Sequence, residues 1–391
     1  MKRILILCML ILFFLAGCVK KPEKTVIKFM SWGSKSEVSI IQPLIKEFES
    51  QNPDIKVEFI HTPNNYFQKL HLLAASGLTP DVVFVNNIYG PLYAENGIFM
   101  DLSGYFTGAK YFHKEALHAL NHKGKLYAVP RDVSNLVIYY NKDIFDKHNV
   151  SYPSSDWTFE DFLNICKKLT NKNNWGISFE EAPLFWLPYL WSNGGGFISP
   201  DLKQIDLDKP EAIQAIQFYS DLRNKYHVAP TKSQTGSATM AQLFMQEKLA
   251  MHFSGRWFMP IYTQEIKFNW GIVRFPKGKA GSVVGCDSSG WAISSKTMHP
   301  EEALRFVRFL SSKTSIEKFT KSGLITPARM DVEDPVEVFT ETIKYSIPTP
   351  VTQNYQRLTD ILINALEPVW AGKTTAEKAV DEKLIQKFYL Q

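Results

Sequence analysis

Apolar positions along the chain follow two rhythms that alternate. Short runs have a period of two or no polar interruption, and longer stretches return an apolar residue every three or four positions. The first rhythm predicts strands and the second amphipathic helices. Val26-Ile27-Lys28-Phe29-Met30 is the first strand-like run. A helical stripe of Ile41, Leu44, Ile45 and Phe48 follows, with Ser36 as its expected N-terminal cap. Asn52-Pro53-Asp54 breaks that helix, and Ile55–Ile60 alternates as a second strand. Tyr66–Ser76 reads as a helix stopped by Gly77. Val82-Val83-Phe84-Val85 is then a continuous apolar run of the kind found in buried parallel strands.

The same grammar continues downstream. Leu136–Tyr140 is a strong strand, and Thr158–Asp161 opens a helix that carries Phe162, Ile165 and Leu169 on one face. Asp208–Glu211 opens another, striped by Ala212, Ile216, Tyr219, Leu222 and Tyr226. Pro300 stands at a first helical turn before Ala303, Phe306, Val307 and Leu310. A last helix starts at Thr374–Glu377 and carries Val380, Leu384 and Phe388. The alternation argues for an α/β fold. There is no internal repeat or low-complexity segment, and Trp191–Gly196, Thr231–Ser237 and Gly278–Gly290 read as cleft or surface loops.

A length of 391 residues suggests two or three domains. With 45% hydrophobic and 13% aromatic residues, the chain is not disordered. The balance of 44 basic against 39 acidic residues, +5, is too mild for a nucleic-acid binder, and four cysteines are too few for a disulfide scaffold. The N-terminus is a separate matter. Lys2 and Arg3 precede an apolar run of 13 residues, Ile4–Ala16, short of the ~20 a spanning helix needs. It reads as a signal peptide, with a retained short anchor as the alternative. Leu15-Ala16-Gly17-Cys18 resembles the lipobox of bacterial lipoproteins. That resemblance implies removal of residues 1–17, lipid on Cys18, and a polar tether over residues 18–25. Loss of Lys2 and Arg3 leaves 42 basic residues against 39 acidic, or +3. Cys166 and Cys286 then remain, expected as small buried hydrophobes.

Enzymatic constellations are missing from the sequence. It has no phosphate loop of the G-x-x-x-x-G-K-[ST] type, no G-x-G-x-x-G and no G-x-S-x-G nucleophile elbow. His118 and His122 stand four residues apart with His113 upstream, but no glutamate or cysteine follows them, and they read as surface residues of an amphipathic segment. Glu180-Glu181 is the one adjacent carboxylate pair near a run of aromatics. What does stand out is tryptophan in polar, glycine-rich surroundings: Trp32 beside Gly33, Trp186 and Trp191 around a Pro-rich turn, Trp257 after Gly255-Arg256, and Trp291 after Gly290. An aromatic face attracts polarised C–H groups, and a sugar ring presents such a face with hydroxyls at its rim.

The motifs, in order, resemble the extracellular solute-binding proteins of bacterial sugar ABC transporters, the maltose-binding type. They are Ile27–Gly33, Tyr66-x-x-Lys69-Leu70, Ala75-x-Gly77-x-x-Pro80-Asp81-Val82 and Ala94-x-x-Gly97. Asp101-Leu102, Gly124–Pro130, Tyr140-Asn141-Lys142-Asp143-x-Phe145, Trp157 and Gly194-Gly195 come next. Phe244-x-x-Glu247-Lys248-x-Ala250-Met251, Gly255-x-Trp257, Gly290–Ile293 and Glu302-Ala303-x-x-Phe306 complete the series. The resemblance implies a two-lobed periplasmic-binding-protein fold with a hinge and a ligand cleft between lobes. One lobe is expected over residues 26–133 and 290–328, the other over 134–289 and 329–391. It implies a binding protein with no cofactor and no metal, not an enzyme, acting as a monomer. Its implied partners are a sugar or oligosaccharide, the permease subunits of an ABC-type importer, and the membrane through Cys18. The implied location is extracytoplasmic, on the periplasmic side in a two-membrane host.

The same resemblance assigns ligand contacts one by one. Trp32 and Ser34 follow the first strand; Asn86, Asn87 and Tyr89 follow the third; Arg131 and Ser134 follow Val129-Pro130 at a hinge. Trp257 matches the stacking tryptophan, Asp287, Ser289 and Trp291 surround the second hinge, and Tyr355 comes from a late helix. Trp186 joins them from the aromatic run. Arg131, Arg256 and Arg329 raise a second possibility, an anionic sugar or glycerol phosphate, because guanidinium pairs well with carboxylate and phosphate. A carbohydrate-active enzyme is the third reading.

Overall fold

The computed structural model describes residues 24–199 and 201–389. Residues 1–17, Cys18 and most of the tether lie outside the described residues. Ten strands build two main sheets. In chain order they are β1 (Thr25–Ser31), β2 (Ile55–His61), β3 (Val82–Asn86), β4 (Ala128–Ser134) and β5 (Leu136–Asn141). Then come β6 (Trp175–Ile177), β7 (Leu249–Gly255), β8 (Trp270–Val273), β9 (Asp287–Ile293) and β10 (Thr326–Pro327). The first sheet has the order β10-β4-β9-β3-β1-β2, and the second β8-β5-β7-β6. β1 is parallel to β2 and β3, while β9 runs antiparallel to β3 and β4. Among the described residues no helix is long and apolar enough to cross a membrane.

Each sheet has its own core. Ile27, Phe29, Val83 and Phe84 pack with Trp291, Phe306 and Phe319 in the first lobe. The stripe Ile41, Leu44, Ile45 and Phe48 of helix α1 (Lys35–Gln51) is buried against the same core. In the second lobe β5 alternates between two clusters: Leu136, Ile138 and Tyr140 face one, Val137 and Tyr139 the other. Its unbroken apolar sequence is required because both faces are covered. Cys166 lies in the second-lobe core and Cys286 in the first, both free.

The chain passes between lobes at three places, and their positions differ in part from those expected. At the first, Asn135 alone separates β4 from β5: Ser134 pairs with Asp287 in one sheet and Leu136 with Gly255 in the other. The second falls between Val284, in the second-lobe core, and Cys286, in the first. Residues 287–289 are therefore part of the first sheet, not of the second lobe. The third is later than residue 329 and is drawn out: Val332 packs in the first core, Phe339 in the second-lobe cluster of Val137 and Tyr139, Ile343 again in the first core, and Tyr355 in the second.

Two local expectations need correction. Ser34, not Ser36, caps α1, its side chain accepting from the Glu37 backbone N–H at 3.4 Å. The supposed Pro-rich turn between Trp186 and Trp191 is helix α2 (Pro183–Asn193), with Pro183 in its first turn and Pro188 inside. Gly194, at φ +92°, ends it in the left-handed conformation open to glycine.

Candidate functional site

Four segments of the first lobe meet at one end of its sheet. Trp32 follows β1, Asn86 and Asn87 end β3, and β4 and β9 pair there through Asp132–Ser134 and Asp287–Ser289. In the second lobe, the N-terminal part of α2, the turn after β7, and one face of helix α3 (Tyr355–Trp370) oppose them. Between the two sides is a cleft of about 570 Å³, a size typical of small-molecule sites. It lies beyond the carboxyl ends of the parallel strands β1 and β3, where open α/β sheets place ligands.

Arg131 organises the first-lobe wall. Its guanidinium pairs with Glu37 and donates to Asp132 Oδ2, with Nε at 2.8 Å. Ser289 Oγ donates to the same Asp132 oxygen at 2.6 Å. The guanidinium lies over Phe84, Trp291 and Phe319, at 4.9, 5.5 and 5.3 Å from their ring centres. Burial opposes its charge, but Glu37 and Asp132 hold its pKa above the ordinary arginine value. Asn87 Nδ2 donates to Asp287 Oδ1 at 2.8 Å. Burial raises the Asp287 carboxyl above its usual range, against hydrogen bonds from Thr349 and Asn87. On the opposing side Arg256 Nη1 donates to Asp334 Oδ2 at 2.6 Å.

Two tryptophans supply flat apolar surface from opposite lobes. Trp32 is 43% exposed and braced edge-on by Phe67 and Phe84. Trp257 is 37% exposed, and its ring folds back so closely on Gly255 that a Cβ there would run into it. The Gly-x-Trp spacing therefore has a steric cause. Leu184 and Ile363 add exposed apolar surface to the second-lobe wall.

Nine of the residues expected at the site line this cleft: Trp32, Asn86, Asn87, Arg131, Ser134, Trp257, Asp287, Ser289 and Tyr355. Five do not. Ser34 caps α1, and Tyr89 stacks on Phe67 with ring centres 3.9 Å apart. Trp186 is 1% exposed against Trp370, and Trp291 is 0% exposed, its ring packed edge-on to Phe29 and Phe84 in the first core. Arg329 is bound to Asp331, its Nε and Nη2 each at 2.8 Å, and lies over Tyr111 and Phe112.

Residues 32–316 match the family described as bacterial extracellular solute-binding protein. This chain belongs to that family. It is 28% identical to an ABC substrate-binding protein from Listeria monocytogenes in complex with cycloalternan, covering 94% of this chain and 99% of that one with a TM-score of 0.86. It is 26% identical over 340 residues to the multiple sugar-binding protein of Streptococcus mutans, 78% of this chain and 77% of the relative. Maltose-bound MalE3 of T. maritima shares the fold at 23% identity and a TM-score of 0.82, covering 94% and all of that chain. These relatives are binding proteins rather than enzymes, and so is this solute-binding protein.

Several lining residues of the solute-binding protein were not anticipated. Glu37 is one, although Ser34-x-x-Glu37 carries the spacing of a capping box and marks both residues as belonging to one helix start. Gln356, Thr359 and Ile363 line the cleft beside Tyr355 at helical spacing on α3, a stripe legible once Tyr355 is placed there. Leu184, Leu187 and Thr349 carry no signal, since an aliphatic or threonine at a cleft reads like one in a core. Among the described residues no cluster of three or more metal-ligating side chains occurs.

Proposed function

We propose that the protein captures an uncharged sugar or oligosaccharide in the interlobe cleft and delivers it to the permease of an ABC-type importer, working as a monomer outside the cytoplasm and held to the membrane by lipid on Cys18. The observation that carries the ligand class is the pairing of Trp32 and Trp257 across one cleft, each with about two-fifths of its surface open. Two such platforms suit the C–H faces of sugar rings, and Asn86, Asp132, Asp287 and Ser289 suit hydroxyls at the rim. The sugars bound by the Listeria and Streptococcus relatives support the same class. Charge argues against the anionic alternative. Arg131, Arg256 and Arg329 are each paired with a carboxylate of this chain, so a ligand anion would compete with partners already in place.

A thermal-shift panel of maltose, maltotriose, cycloalternan and galactooligosaccharides tests the reading. A bound ligand at 100 Kd stabilises by ~2.7 kcal/mol. A plain rise in melting temperature with at least one sugar, without turnover, is expected. Sustained release of a cleaved product would instead make the protein a carbohydrate-active enzyme.

A further inference from the structure

Arg256 is only 4% exposed yet reaches three parts of the molecule. It follows β7 directly, and so belongs to the second lobe. Its Nε donates to the backbone carbonyl of Gly323 at 3.2 Å. Gly323 is first-lobe structure: the helix before it, Lys313–Lys321, buries Ile316 and Phe319 in the first core, and Ile325 after it is buried there too. Nη1 holds Asp334, whose side chain is fully buried on the segment that makes the third passage between lobes. The guanidinium lies 5.0 Å over the ring of Phe339 on that same segment. Nη2 is buried and has no hydrogen-bond partner among the described residues, although Arg256 lines the cleft. Thr326 Oγ1, on the first-lobe side of the same cleft, is likewise buried and without a partner among the described residues.

The geometry points to Arg256 as the residue that couples cleft occupancy to the approach of the two lobes. An arginine presents its N–H donors in a rigid fork, so engaging one arm orients the others. Nε and Nη1 tie the second lobe to the loop before β10 and to the last passage. Nη2 donates to an oxygen acceptor on the ligand, a hydroxyl, ring or glycosidic oxygen, at the end of the cleft where Thr326 offers a second polar atom. Because Trp257 is the next residue, the tie also sets where its ring stands. Arg256 thus selects ligands with an oxygen acceptor one ring edge away from the Trp257 stack. The inference rests on the sugar-binding reading for its ligand half and on the protein alone for its lobe-tying half.

The test compares Arg256→Lys with the double variant Arg256→Met/Asp334→Asn, which removes both charges of the buried pair together. The probe is whichever sugar of the panel above most stabilises the unaltered protein. Small-angle scattering with and without it reports how far the lobes approach, and calorimetry reports affinity. Arg256→Lys keeps a cation for Asp334 but cannot also serve Gly323 and the ligand. Loss of a charged donor to a buried acceptor weakens binding roughly tenfold or more. Expected are a melting temperature close to that of the parent, at least that loss of affinity, and a larger ligand-free radius of gyration in the folded variants. Unchanged affinity and an unchanged radius in either folded variant overturn the inference. If no sugar binds the parent, the sugar-binding reading fails with the ligand half, and the ligand-free scattering still decides the lobe-tying half.

Discussion

Replacing Trp257 by alanine separates a ligand platform from a core residue. The ring is 37% exposed and rests on Gly255 and Phe258. A tryptophan offers up to ~250 Å² of contact surface, so about 90 Å² is open to a ligand. At ~25 cal/mol per Å², covering that surface contributes about 2 kcal/mol, or roughly thirtyfold in affinity. Stability should fall by less than the ~3–5 kcal/mol typical of an aromatic removed from a packed interior. Trp186 and Trp291 supply the contrast, being buried in the two cores. Trp186→Phe is expected to lower the melting temperature and leave affinity alone. Gly255→Ala is the sharper probe. Its backbone, at φ −97°, accepts any residue, and the closest conflict is between the new Cβ and the Trp257 ring. It should reproduce the affinity loss of Trp257→Ala. Calorimetric titration and thermal melting on the same samples decide the matter. Unchanged affinity with a strongly lowered melting temperature for Trp257→Ala would refute the stacking argument.

The remaining predictions concern charge, pH and attachment. Glucuronate and glycerol 3-phosphate should give no thermal shift at concentrations where a neutral sugar does; a saturable shift with either would mean that a paired arginine exchanges its partner for the ligand. Asp287, with its carboxyl raised by burial, binds its proton more tightly folded than unfolded. Its contribution is therefore most favourable below the unfolded value near ~3.9 and declines as pH rises to the raised folded value. Asp287→Asn should gain in melting temperature relative to the parent as pH rises through that window, and a difference independent of pH would contradict the assignment. Cys18→Ser should release the protein from membranes with sugar affinity intact; retention in the membrane fraction would assign the anchor to the apolar run Ile4–Ala16.

The α/β alternation, the buried strands and the helix stripes are local properties, and they were legible in the sequence because period and burial are linked residue by residue. The steric bond between Gly255 and Trp257 was equally local, spanning three positions. What the chain pattern could not decide is which apolar surface is core and which is cleft. Trp186 and Trp191 sit on one helix five residues apart, yet Trp186 packs against Trp370 while Trp191 reaches the cleft. Both are apolar and both lie in α2, so only the placement of α2 against its neighbours distinguishes them. The arginines make the same point through charge. Arg131 meets Glu37 across 94 positions and Arg256 meets Asp334 across 78, and these pairings turn two of the three cations that suggested an anionic ligand into internally neutralised structure. Coulomb attraction depends on distance in space, which the fold sets, whereas the sequence orders residues only along the chain.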